Sequence, residues 1–102
     1  MRVPIERTKD DETAFDELCS IIHSVDEEAV LKEFMNEILT PNEVTEIARR
    51  WRLVKLLHDG LPQREIAARL HLSLCKITRG SKELKRPGSA FKKMLEIGGD
   101  HE

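Results

Sequence analysis

Residues 61–85 read LPQREIAARLHLSLCKITRGSKELK, and the fold turns on this stretch. Pro62 can open a short helix whose Ile66, Ala67 and Leu70 face inward. His71, Leu72 and Ser73 make a tight turn, and Ser73 can cap a second helix over residues 74–85. Small Ala67 suits a close helix crossing, while Leu72 and Ile77 suit buried positions. The spacing predicts a helix-turn-helix across about residues 62–85, with an ordinary αα-hairpin as the alternative. Glycine is common at the turn position held here by His71, which must adopt a left-handed or distorted backbone.

Rotated at about 100° per residue, residues 74–85 divide into three faces. Leu74, Ile77, Ser81 and Leu84 form one, suited to packing on the body of the protein. Cys75, Thr78, Lys82 and Lys85 form another, small or basic and suited to a groove and its phosphates. Lys76, Arg79, Gly80 and Glu83 form the third. Glycine inside a helix costs roughly 0.5–1 kcal/mol relative to alanine, so Gly80 asks for a reason. Either the stripe lines a small polar pocket, with Gly80 leaving room for a flat ligand beside Arg79. Or Arg79 and Glu83 form a surface pair, while Gly80 ends the helix and Ser81 caps another.

Outward from this stretch the chain reads as helices throughout. Phe15, Leu18, Cys19 and Ile22 give one apolar stripe between Asp11 and Val25. Ser24 and Glu27 have capping-box spacing for a second helix carrying Val30, Leu31, Phe34, Met35 and Ile38. Thr40, Pro41 and Glu43 restart the chain for a third helix to about His58, which Gly60 ends. Its apolar positions, Trp51 among them as an expected core filler, cover more than a narrow stripe, so a dimer core would supply the covering. Pro87 and Gly88 break the chain, and Ser89 caps a last helix with Phe91, Met94, Leu95 and Ile97. Residues 1–10 are expected as a flexible arm, 11–97 as a single helical domain and 98–102 as a flexible tail.

A chain of 102 residues bounds the answer to one small domain with a modest core. No apolar run is long enough to span a bilayer, and no signal segment opens the chain. Cys19 and Cys75 fit no metal or redox spacing, which leads us to expect reduced thiols in a cytoplasmic protein. The net charge of −2 conceals a strong asymmetry. Residues 1–48 hold 4 Lys/Arg against 13 Asp/Glu, whereas residues 49–93 hold 13 against 3. The basic half is an electrostatic footprint for an anionic partner. No paired acid and base, nucleophile triad or phosphate loop argues for an enzyme, no metal is expected, and His23, His58, His71 and His101 read as surface or packing residues. A rival of another class is an interaction module that docks through the apolar third helix.

The segments LTPNEVTEIARRWRLV (39–54), QREIAARL (63–70) and ITRGS (77–81) resemble the Trp repressor family, over roughly residues 27–97. The resemblance implies an all-α chain of six helices that forms an intertwined homodimer. It implies a sequence-specific DNA-binding repressor that takes L-tryptophan as corepressor, with no other cofactor, and shuts off tryptophan biosynthesis genes. Arg50 and Arg79 would sandwich the indole, a guanidinium over an aromatic face. Arg79 and Thr40 would hold the carboxylate, backbone carbonyls near Glu37 and Leu39 of the partner chain the ammonium, and Gly80 would floor the pocket. Glu83 stands where the family's familiar pattern has serine at the ammonium. On the DNA side the resemblance implicates Arg64, Ala67, Ser73, Leu74, Cys75, Lys76, Thr78, Arg79, Lys82 and Lys85. The connection Gly60–Gln63 is one residue shorter than usual. A family regulator with another effector, or none, is the alternative.

Overall fold

The computed structural model describes residues 5–99, and these form six α-helices with no strand among them. The chain divides into two compact units at the Thr40–Pro41 junction. Residues 1–4 and 100–102, which include the ends of the expected arm and tail and His101, lie outside the described residues.

The first unit holds α1 (Lys9–His23) and α2 (Glu28–Ile38). The α1 helix starts at Lys9, two residues before the expected segment that begins at Asp11, and so inside the expected arm. Thr8 and Asp11 explain the early start: the Asp11 N–H donates to Thr8 Oγ1 at 3.2 Å, and the Thr8 N–H donates back to Asp11 Oδ2 at 2.9 Å. This reciprocal box satisfies two backbone donors that a helix start leaves open. The expected Ser24–Glu27 box does not form. Ser24 instead closes α1, its hydroxyl donating to the Ser20 carbonyl at 3.2 Å, and Glu27 precedes α2 without a side-chain cap. A hydroxyl turned back one turn onto its own helix cannot also cap the next one.

The second unit holds α3 (Pro41–His58), α4 (Gln63–Leu70), α5 (Leu74–Lys85) and α6 (Ala90–Gly99). Gly60, at φ +87°, ends α3 with two reversed bonds: Gly60 N–H to the Leu57 carbonyl at 3.1 Å and Leu61 N–H to the Leu56 carbonyl at 3.2 Å. That pairing is a Schellman motif, and it needs a residue tolerant of the left-handed region. It also folds Leu61 back beside Leu56 at the edge of the core. Leu53, Ile66, Leu70 and Ile77 make that core, with Leu56, Leu57, Ala67 and Leu72 packed around it. Each fully buried aliphatic side chain is worth about 1.5–3 kcal/mol relative to exposure.

His71 takes φ 54° and ψ 40°, so the left-handed turn expected from its position is present. Ser73 then caps α5, its hydroxyl accepting from the Lys76 N–H at 3.3 Å. The α5 helix runs unbroken through Gly80, so Gly80 does not end it and Ser81 starts no new helix. Its buried face is Ile77, Gly80, Ser81 and Leu84, while Leu74, expected on that face, is 52% exposed. Leu74 is the first residue of α5 and projects beyond the body that covers the helix later on. Ser89 caps α6, accepting from the Phe91 N–H at 3.2 Å.

Candidate functional site

Two surfaces of the second unit gather the residues singled out above. The first is the exposed face of the helix-turn-helix. Arg64, Leu74, Cys75, Lys76, Thr78, Arg79, Lys82 and Lys85 are all exposed. Ser73 is exposed as well, but its hydroxyl is engaged in the cap. Ala67 is half-buried against the core. Thr78 Oγ1 donates to Gln63 Oε1 at 3.4 Å, which ties the start of α4 to the middle of α5. Gln63 was not flagged by spacing, because fifteen residues separate it from its partner. Basic side chains with short polar neighbours on one helix suit a major groove and its phosphates.

The second surface is a cavity of about 670 Å³. Arg50 from α3 and Lys76, Arg79, Gly80 and Glu83 from α5 all line it, so the whole third stripe of α5 meets Arg50 there. Arg79 makes no ion pair among the described residues. Glu83, half-buried, lies 3.5 Å from Arg86 Nε, so the expected surface alternative of an Arg79–Glu83 pair is absent. Arg50 and Arg79 thus bring two unpaired guanidiniums to one concavity, an arrangement suited to a carboxylate or an aromatic face.

Gly80 faces α3. A Cβ there would sit 3.2 Å from Leu53 Cδ2 and 3.5 Å from Leu57 Cδ1. The missing side chain therefore lets α5 approach α3 closely beside the cavity.

Leu53 and Val54 contribute to the lining, and four further residues complete it: Ile47, Trp51, Leu72 and Phe91. Trp51 is a correction to its expected place as core filler, since it is 37% exposed and stands in the cavity wall. Ile47, Trp51 and Val54 recur at i, i+4, i+7 on α3, a signal that could have found them. Phe91 arrives through the turn between α5 and α6, and no local pattern predicts that. Leu39, half-buried, and Thr40, exposed, belong to the first unit and do not line this cavity. Among the described residues no group of three or more His, Cys, Asp or Glu side chains is placed to hold a metal ion. No helix there is long and apolar enough to cross a membrane.

The profile of a family described as Trp repressor protein matches residues 13–97. The Trp operon repressor homolog of Chlamydia trachomatis serovar L2 strain 434/Bu is 36% identical over 84 residues, covering 81% of this chain and 86% of that protein. The homolog of the same name from Chlamydia caviae is 39% identical over 83 residues, covering 80% and 79%. That of Xylella fastidiosa strain M23 is 36% identical over 75 residues, covering 72% and 82%. No solved structure gives a significant match.

Proposed function

Because the chain belongs to the Trp repressor protein family, we propose that it is a DNA-binding transcriptional repressor, working as a homodimer in the cytoplasm with L-tryptophan as corepressor. The observation that carries the ligand half of this reading is the cavity where Arg50 and Arg79 converge beside Gly80. An indole between two guanidinium planes gains cation–π attraction, and Arg79 is free to take the carboxylate. Thr40 and the backbone near Leu39 would add polar contacts from the partner chain of the dimer. The observation that carries the DNA half is the capped, basic α5 with Thr78, Lys82 and Lys85 along one exposed face.

The mechanism is a population shift. A two-headed dimer must set its recognition helices about 34–36 Å apart to enter successive major grooves. Trp repressor is itself among the standard examples of this docking, so the spacing comes with the family. A ligand between α3 and α5 favours the spread arrangement only through its higher affinity for that state. DNA and tryptophan then strengthen each other's binding by the same factor. Repression of tryptophan biosynthesis genes would close a feedback loop.

Binding to a palindrome of the family type, measured with and without L-tryptophan at fixed salt, tests this directly. Affinity is expected to rise at least tenfold with ligand. An unchanged affinity overturns the corepressor mechanism and leaves the second reading, a family repressor with another effector. Glu83, Lys76 and the Trp51 ring in the cavity favour that second reading. Calorimetry with tryptophan on the protein and on Arg79→Ala separates the two.

A further inference from the structure

We propose that the corner where α5 passes into α6 is a second phosphate-binding surface, carried by Lys85, Lys92 and Lys93, that grips duplex DNA beside the bases read by α5. The inference rests on the DNA-binding reading above and extends it outside the helix-turn-helix. Between Ile66 and Leu95 the chain carries eight Lys/Arg and one carboxylate, Glu83. That carboxylate already lies beside Arg86, and Arg69 is paired with Glu65 at 2.8 Å. Lys82, Lys85, Lys92 and Lys93 are exposed and make no ion pair among the described residues.

The turn makes this charge continuous. The Ser89 N–H donates to the Arg86 carbonyl at 3.1 Å, with Pro87 second and Gly88 third at φ +74°. Those are the residues of a type II turn, whose ends stay within about 7 Å. Lys92 and Lys93 follow as the third and fourth residues of α6, each rising about 1.5 Å. The basic run Lys82, Lys85 on α5 is followed by Lys92 and Lys93 on α6 with no acidic residue between Glu83 and Glu96, and the two helices are in contact.

The position of these lysines is electrostatically wrong for the helix that bears them. The start of a helix carries roughly half a positive charge, which favours Asp or Glu. The first turn of α6 has neither. Glu96, one turn further on, forms an ion pair with neither lysine among the described residues, so a partner supplying negative charge would offset this cost. Duplex DNA offers one per about 1.7 Å of axis. Ammonium groups on flexible stems hold phosphates as point charges and read no sequence.

The test is Lys92→Gln/Lys93→Gln in the full chain, titrated with salt on an operator-type palindrome and on an unrelated duplex. Each lost phosphate contact flattens the slope of log affinity against log salt by about 0.9, so a loss near 2 per chain is expected. Both duplexes should weaken by the same factor, with the tryptophan enhancement unchanged. Lys92→Arg/Lys93→Arg should keep the wild-type slope. Lys92→Glu/Lys93→Glu should bind both duplexes less well than the glutamine variant, because it adds repulsion to the lost contacts. A double glutamine variant with wild-type slope and affinity overturns the inference, as does a glutamate variant that binds DNA as tightly as wild type. Failure of the wild-type protein to bind either duplex overturns the DNA-binding reading itself.

Discussion

The two units of this chain use the same kind of helix to opposite ends. The first, through Thr40, holds 4 Lys/Arg against 11 Asp/Glu, and neither of its helices contains a buried residue. Phe15, Ile21, Val30 and Ile38 are each more than half exposed. The second holds 13 against 8 and closes its own core around Ile66, Leu70 and Ile77, each at most 1% exposed. Amphipathic patterning is present in both, yet only the second closes a core within itself, and even there Met94 and Ile97 of α6 stay more than half exposed. An apolar stripe says that a helix is to be covered, and leaves open what covers it. The proposed homodimer assigns the covering of the first unit to a second copy.

The sharpest test of that contrast is a pair of truncations. Ile66→Ala, at a site with no exposure, should cost about 2–5 kcal/mol by lost burial and a residual cavity. Phe15→Ala should cost under about 0.5 kcal/mol in dilute, monomeric protein. The gap should narrow at high protein concentration if a second copy covers the Phe15 ring. Urea unfolding over a range of concentrations reads both, and equal losses in dilute protein would break the comparison.

The next effect is smaller and lies wholly in the second unit. Gly80→Ala gains helix propensity but pushes a methyl to 3.2 Å from Leu53 Cδ2, and Leu53 is only 3% exposed. Overpacking costs about 1–3 kcal/mol against a propensity gain of roughly 0.5–1, so a net loss near 1 kcal/mol is expected. Adding Leu53→Ala should return part of that loss, a coupling that a double-mutant cycle measures. A simple sum of the two single losses would show that Gly80 is not needed for the approach of α5 to α3.

The smallest effect belongs to the first unit. The Thr8 N–H and then the Thr8 hydroxyl hold the Asp11 carboxyl below its ordinary value of 3.8, with Arg7 adding a little in the same direction. A depressed folded pKa gives stability that is present above the unfolded value and lost as pH falls through the folded one. Carboxyl titration by NMR should therefore show a midpoint under that of a free aspartate. The helix content of α1 should decline as pH falls from the ordinary aspartate value through that midpoint, and Asp11→Asn should remove this dependence. A midpoint at the ordinary value would mean the box is not kept in solution.

Local signals carried far in the second unit. Gly60, His71, Ser73 and Ser89 each sit where a helix must start, stop or turn, and the backbone requirement at such places admits few residue types. The same logic misassigned Ser24, because a serine between two helices can close one or open the other and spacing does not choose. It missed the Thr8–Asp11 box, which lay in a polar segment with no apolar period. Arg50 and Arg79 pair through the family resemblance, and Trp51 shares an α3 stripe with Ile47 and Val54, but no local pattern places Phe91. Leu74 was assigned inward by rotation alone, and rotation does not tell where along a helix the covering body begins.

The sequence alone determined the six helices, the stops and caps at Gly60, His71, Ser73 and Ser89, the helix-turn-helix and the separation of acidic from basic halves. These depend on periodicity, caps and charge, which act within a few residues. Only the tertiary structure decided that Gly80 lies against Leu53, that Arg50 shares a cavity with Arg79, and that an indole and a phenyl ring complete its wall. Those pairings depend on how closely α3 and α5 approach and on where the turn after Arg86 sends the chain. Both are set by packing between residues far apart in sequence.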